Sequence, residues 1–239
     1  MKLFSGIPKK RTNRRPVNKG MYEPSRLCKV YELDLEDTSI ANIPRAGVLF
    51  YTIIDSSLHI CFGRDAKTGD LTDFGGGRKA SESPVQCAAR EGNEESRFVF
   101  SHLRVDKIQG FYCLYSSNML IVFIPVASPN DRDIRELTAS NFNEKHFLSK
   151  SQSKSRSYNE VADIEWLNEE QIANLFSTRP TKQLFAKVRR FICSCTEISQ
   201  NIERMRNVLT SVITTGEETY SELPKDSRLN IWMSSVVPS

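Results

Sequence analysis

From Leu27 onward, apolar and polar residues alternate with period two through Cys28–Leu35, the pattern of a strand with one buried face. Two longer apolar runs, Arg45–Ile54 and Leu58–Gly63, flank Asp55-Ser56-Ser57, and this spacing predicts a hairpin. A Thr-Gly-Asp turn at 68–70 and the short run Leu71–Phe74 lead into three glycines, Gly75–Gly77, expected as a loop. The period then changes to that of a helix. Ser83-Pro84-Val85-Gln86 combines a capping box with proline at the first helical position, and predicts a helix from there to about Ser96. Three further strands are expected at Phe98–Val105, Lys107–Tyr115 and Met119–Val126, with a weak helical pattern at Asp131–Ala139. Val161–Leu167 alternates again as a strand, and Asn168 is placed to cap a short helix through Phe176.

After Pro180, apolar residues recur at alternating steps of four and three: Leu184, Val188, Phe191, Cys195, Ile198, Ile202, Met205, Leu209 and Val212. That is the stripe of one long amphipathic helix of about eight turns, ending before Gly216. The steps also suit a coiled-coil seam and a homodimer through 184–212. The flanking positions Ile192, Ser194, Ser199, Asn201, Arg206 and Val208 lack the usual charge pairing, which favours packing along the domain. The organisation expected is therefore a tail over 1–26, an α/β domain over 27–177 and a helical extension over 178–239.

Charge changes the picture at the N-terminus. Residues 1–20 hold seven basic side chains and no acidic one, while the whole chain is +4, so the remainder carries −3. With few apolar groups and prolines at 8, 16 and 24, the tail cannot bury enough surface to order itself. Its basicity suits RNA, phosphoinositides or a nuclear import receptor. A second Ser/Lys/Arg-rich stretch, Lys150–Ser157, reads as a mobile loop. RNA contact is expected through residues 9–19 and 150–156. The longest apolar run, Met119–Ala127, is too short to cross a bilayer, and no apolar stretch follows the basic tail as a secretory signal would require. The cysteines at 28, 61, 87, 113, 193 and 195 show no metal-ligand spacing and read as small buried residues of a reducing compartment, cytoplasmic or nuclear. The histidines at 59, 102 and 146 form no constellation.

The chemistry concentrates between Gly76 and Phe98. Glu91, Glu94 and Glu95 stand at i, i+3 and i+4, so a helix projects them from one face as oxygen ligands for a hard divalent cation. Such a cation serves phosphate and pyrophosphate chemistry. With Gly76, Glu82 and Arg90 at their spacings, this stretch resembles the Nudix box: glycine, five residues, glutamate, seven residues, Arg-Glu, an aliphatic, any residue, Glu-Glu, any residue, glycine, an aliphatic. The resemblance extends from about Arg45 to Phe176.

Resemblance to the Nudix hydrolases implies an α/β/α sandwich with a mixed sheet, and Mg²⁺- or Mn²⁺-dependent hydrolysis of a nucleoside diphosphate linked to another moiety. By position, Glu94 and Glu95 would be the principal metal ligands, joined by Glu91 and by the Gly76 carbonyl. Arg90 would orient a glutamate through a charge-assisted pair, and Glu82 would anchor the loop to the helix or ligate through water. A box glutamate, Glu144, Glu160 or Glu165 could take the proton of the attacking water. Capped RNA leads as substrate, ahead of dinucleotides, nucleotide sugars and diphosphoinositol polyphosphates. The alternative from another class is a catalytically weak RNA-binding or scaffold module of the same fold. Two positions depart from the box. Gly92 replaces an aliphatic, expected to cost about 1 kcal/mol of helix propensity and a core contact. Arg97 replaces a glycine that commonly takes positive φ, so a different helix exit is expected there.

Overall fold

A computed structural model of the chain describes residues 29–32, 40–100, 102–108, 111–126, 133–152, 160–177, 179–194 and 202–215. The basic tail over 1–26 and residues 153–157 of the Ser/Lys/Arg-rich stretch lie outside these. Among the described residues eight strands form one mixed sheet: β1 Lys29–Glu32, β2 Arg45–Ile54, β3 Ser57–Asp65, β4 Leu71–Thr72, β5 Phe74–Gly77, β6 Tyr112–Tyr115, β7 Leu120–Pro125 and β8 Val161–Asn168. Strand β2 is its spine. It runs parallel to β7 on one edge, while the other edge pairs antiparallel with β5 along its first half and with β3 along its second. The β2–β3 hairpin turns at Asp55 and Ser56, both at positive φ (49° and 62°), as a tight two-residue turn matched to strand twist demands.

Strand β2 is apolar on both faces because both faces are covered. Val48 and Phe50 point into a core roofed by helix α1 (Pro84–Glu95) and helix α2 (Ile134–Gln152). Leu49 and Tyr51 point into a second core closed by α3 (Glu169–Leu175), α4 (Ala186–Ser194) and α5 (Ile202–Thr215). No helix of the described residues is long and apolar enough to cross a membrane. Local signals placed α1 and α3 well. Ser83 Oγ accepts from Gln86 N at 3.1 Å while Gln86 Oε1 accepts from Ser83 N at 2.7 Å, and Asn168 and Gln171 repeat the exchange at α3.

The C-terminal stripe resolves differently from the expected single helix. Leu184 precedes α4 and bridges Leu71, extending the β4 edge through Leu71 N to Gln183 O (2.8 Å) and Phe185 N to Leu71 O (2.7 Å). Val188 and Phe191 on α4 and Met205 and Leu209 on α5 are buried against the sheet, and residues 195–201, with Cys195 and Ile198 of the stripe, lie outside the described set. Tyr51 Oη donates to the Leu209 carbonyl at 2.9 Å, tying α5 to the central strand. The helix over Asp131–Ala139 proves longer than its weak pattern suggested, reaching Gln152. Cys61, Cys87 and Cys113 are buried.

Phe98–Val105 is not a strand. Helix α1 ends with Arg97 and Phe98 both left-handed (φ 54° and 56°), Arg97 N donating to Glu94 O (3.1 Å) and Phe98 N to Asn93 O (2.9 Å). These two bonds are the Schellman pair that ordinarily uses glycine. The chain then doubles back over α1. The Asn93 side chain takes both backbone groups of Leu103, accepting from its N at 2.7 Å and donating to its O at 2.9 Å. With those groups occupied, Leu103 has nothing to offer a ladder. Phe100 instead stacks on Phe50 with centroids 3.9 Å apart. The expected strand Lys107–Tyr115 shortens for a related reason: Val105–Lys107 forms a 3₁₀ turn, and pairing with β7 begins only further on.

Candidate functional site

The box lies where β5 passes beneath α1. The three glycines are not a loop: Gly75, Gly76 and Gly77 extend as β5, paired with Gly47, Ala46 and Arg45 of β2. The connecting loop is 78–83. At Gly76 the side-chain space is taken by the end of the Glu91 side chain, and no positive φ calls for glycine there. A Cβ built there would fall 2.4 Å from Glu91 Oε1 and 2.6 Å from its carboxyl carbon. The Gly76 carbonyl lies beside α1, with Cys87 Sγ 3.6 Å away.

Helix α1 brings Glu91, Glu94 and Glu95 to this corner, with Glu91 and Glu95 buried and Glu94 partly exposed. Glu95 Oε2 accepts from Gly75 N at 2.7 Å. Arg90 is the hub of the opposite side. It donates to Glu82 through Nε (2.5 Å) and Nη2 (3.0 Å), and through Nη1 to Glu91 (2.7 Å) and Glu94 (3.4 Å). Glu82 also accepts from Lys79 N at 3.0 Å, which fastens the 78–83 loop. Its carboxyl is held below the usual range, chiefly by the Arg90 hydrogen bond.

Burial works the other way on two of the ligand candidates. It pushes Glu91 above the ordinary carboxylate value, against the pull of Arg90 and with help from Glu94 and Glu160. It pushes Glu95 well above, with the charges of Asp73 and Glu91 adding to it. Among the described residues no group of three or more His, Cys, Asp or Glu side chains is arranged as it stands to hold a metal ion. Arg90 supplies positive charge at three of these carboxylates. The donor set itself, the hard carboxylate oxygens of Glu91, Glu94 and Glu95 on one face of α1 beside the Gly76 carbonyl, fits a hard divalent cation in its chemistry.

Of the proton-acceptor candidates outside the box, Glu160 bears on the charge of Glu91. Glu165 is taken by Arg64 and Lys182. Glu144 stands exposed on α2. Two residues of this corner carried no sequence signal. Asp73, fully buried, is gripped by Arg45 through Nη1–Oδ2 (2.8 Å) and Nη2–Oδ1 (2.7 Å), a pairing across 28 residues.

Arg97 and Gly92 correct the expectations placed on them. Arg97 keeps the left-handed exit instead of replacing it, because its side chain is buried and bound. Its Nη2 donates to Val161 O at 2.6 Å and Nη1 to Phe142 O at 3.4 Å, while the guanidinium lies 3.9 Å from the Phe142 ring centre. Burial pulls that guanidinium down to about 10, so it stays charged at neutral pH. Arg97→Gly relieves about 1–2 kcal/mol of left-handed strain. It also strips charged donors from two carbonyls, at about 1–3 kcal/mol each, and leaves a hole. A net loss of about 3 kcal/mol is expected in urea unfolding. Unchanged or improved stability would show that the strain outweighs the clamp. Gly92 gives up no core contact, since a Cβ there would meet Val48 Cγ2 at 2.7 Å and Leu103 Cδ1 at 2.8 Å.

No protein-family model matches the chain, and no curated protein matches it. Solved structures do. A Nudix hydrolase from M. smegmatis, RenU, is 16% identical over 72% of this chain and 88% of its own, with TM-score 0.38. An Ap4A hydrolase from C. elegans is 13% identical over 71% and 98%, TM-score 0.38. A MutT/nudix family protein from Enterococcus faecalis is 8% identical over 86% and 90%, TM-score 0.38. At these identities and TM-scores the likeness establishes neither an activity nor a substrate.

Proposed function

We propose that the protein is a Nudix-type pyrophosphohydrolase, dependent on Mg²⁺ or Mn²⁺, that cleaves a diphosphate linkage in a nucleoside diphosphate derivative. One observation carries the reading. The positions Gly76, Glu82, Arg90, Glu91, Glu94 and Glu95, spread over twenty residues, meet at one corner, with the glycine at 76 fitted to the Glu91 carboxyl. Glu91, Glu94, Glu95 and the Gly76 carbonyl would hold the cation, whose charge neutralises pyrophosphate oxygens and acidifies the attacking water. Arg90 and Glu82 orient the ligand face from behind. Gly75 N–H fixes one oxygen of Glu95, Oε2. A box glutamate or Glu160, whose charge bears on Glu91, would take the water's proton.

Capped RNA is the substrate to test first, supported by the seven basic residues of the first twenty and by the basic stretch 150–156. The test is a panel of cap-labelled RNA, ADP-ribose, a dinucleotide, a nucleotide sugar and a diphosphoinositol polyphosphate, with Mg²⁺, with Mn²⁺ and with chelator. Release of a nucleoside diphosphate from the cap, abolished by chelator, is expected. Fast turnover of another member with none of the RNA removes the decapping reading. No turnover of any member removes the enzyme. One observation favours a second reading, a binding module of the same fold: the Arg90 guanidinium closes on three carboxylates of the corner, as it would in a purely structural ion cluster. Preserved RNA binding without hydrolysis would establish it.

A further inference from the structure

Glu95 is held by a device outside the box. Asp73 Oδ2 lies where side chains would otherwise stand, 2.3 Å from a Cβ built on Gly47 and 2.5 Å from one built on Gly75. The two glycines, partners across β2 and β5, thus leave a notch that the carboxylate fills. A buried carboxylate needs a charged partner with matching geometry. Arg45, the first residue of β2, grips it with both arms of its guanidinium. The same Nη2 donates to Gly75 O at 2.9 Å, and Gly75 N donates to Glu95 Oε2 at 2.7 Å. Gly75 is therefore tied through its carbonyl to Arg45 and through its amide to Glu95.

We infer that the Arg45–Asp73 pair is the positioning device that sets the direction of Glu95 in the site; this rests on the cation chemistry proposed above. Neither residue touches the substrate. Arg45 and Asp73 act through Gly75: Arg45 holds its carbonyl, and across the Cα the N–H of the preceding peptide unit meets one oxygen of Glu95. An arginine is needed because only a planar fork can engage both oxygens of Asp73 and still reach a carbonyl.

The experiment uses the full chain with two variants. Arg45→Lys keeps the charge and loses the fork, and Asp73→Asn keeps the shape and loses the charge. Mn²⁺ affinity is read by electron paramagnetic resonance, kcat and KM on the best substrate of the panel, and folding by thermal unfolding. Both variants are expected to bind Mn²⁺ about tenfold or more weakly and to lose kcat in step, as supports of a ligating carboxylate commonly do. KM should stay within about twofold. A pair that merely fastens β5 to β2 would lower the melting temperature and leave Mn²⁺ affinity and kcat of the folded protein at wild-type values. That result overturns the inference alone, provided wild-type binding is weakened by Glu95→Gln. Wild type that binds no Mn²⁺, or binds it undiminished in Glu95→Gln, overturns the cation site and this role with it. If Arg45→Lys does not fold, Asp73→Asn decides the matter by the same measurements.

Discussion

Replacing Glu94 and Glu95 together by glutamine should abolish hydrolysis and leave the protein at least as stable as the wild type. The loss follows from the proposed site. If several kcal/mol of transition-state stabilisation depends on the cation, removing two charged ligands costs roughly a thousandfold or more in rate. The stability half follows from burial. Glu95 is raised well above the usual carboxylate value by desolvation and by the nearby Asp73 and Glu91. A raised folded-state value means the folded protein holds the proton more tightly than the unfolded chain does. Stability contributed by that proton is present in acid and is lost as pH rises from the ordinary carboxylate value through the raised one. Glutamine carries no charge to bury, so the variant's advantage should be absent in acid and grow toward neutral pH. Urea unfolding across that range checks it. A double variant that hydrolyses normally sinks the assignment of these ligands. One that unfolds more easily at neutral pH would mean that Glu95 is better satisfied than its surroundings indicate. Function placed against stability in this way is common at sites built to bind charge.

Gly92→Leu, which supplies the aliphatic residue the box ordinarily has, should destabilise rather than repair. A helix former regains about 1 kcal/mol of propensity over glycine. Space decides against it. Even the first added carbon would meet Val48 Cγ2 and Leu103 Cδ1 at 2.7 and 2.8 Å, and both residues are buried, so neither can swing away into solvent. Overpacking a filled core costs typically 1–3 kcal/mol, and the remaining three carbons of leucine add to it. A net loss of about 3 kcal/mol is expected, lowering the melting temperature by about 6–12 °C for a chain of this size. Adding Leu103→Ala should recover part of that loss, because the two changes compete for the same volume. A Gly92→Leu protein as stable as the wild type would show that α1 can lift from β2 at no cost.

Both predictions lean on distances that lie across the fold, and this marks where the chain was readable. The elements themselves announce their positions. Serine, proline and glutamine at 83, 84 and 86 specify the start of α1 through hydrogen bonds that span three residues. The apolar runs on either side of Asp55-Ser56-Ser57 implied a hairpin, and β2 and β3 form it. Reading failed where a side chain captured backbone from elsewhere. Phe98–Val105 has the alternation of a strand, but Asn93 holds the amide and carbonyl of Leu103, and Phe100 is drawn onto Phe50. Arg97 looked incompatible with a left-handed exit because the carbonyls of Phe142 and Val161 that compensate it lie 45 and 64 residues away.

The box residues and their spacing are matters of sequence alone, since i, i+3 and i+4 positions share a helix face wherever the helix is placed. The alternating and helical periods are equally local, because they express the geometry of single elements. Only the tertiary structure decided that the Glu91 carboxyl takes the side-chain space at Gly76, that Val48 and Leu103 fill it at Gly92, and that Arg45 and Asp73 reach Glu95 through Gly75. Those are contacts between surfaces brought together by folding, and no local period encodes them.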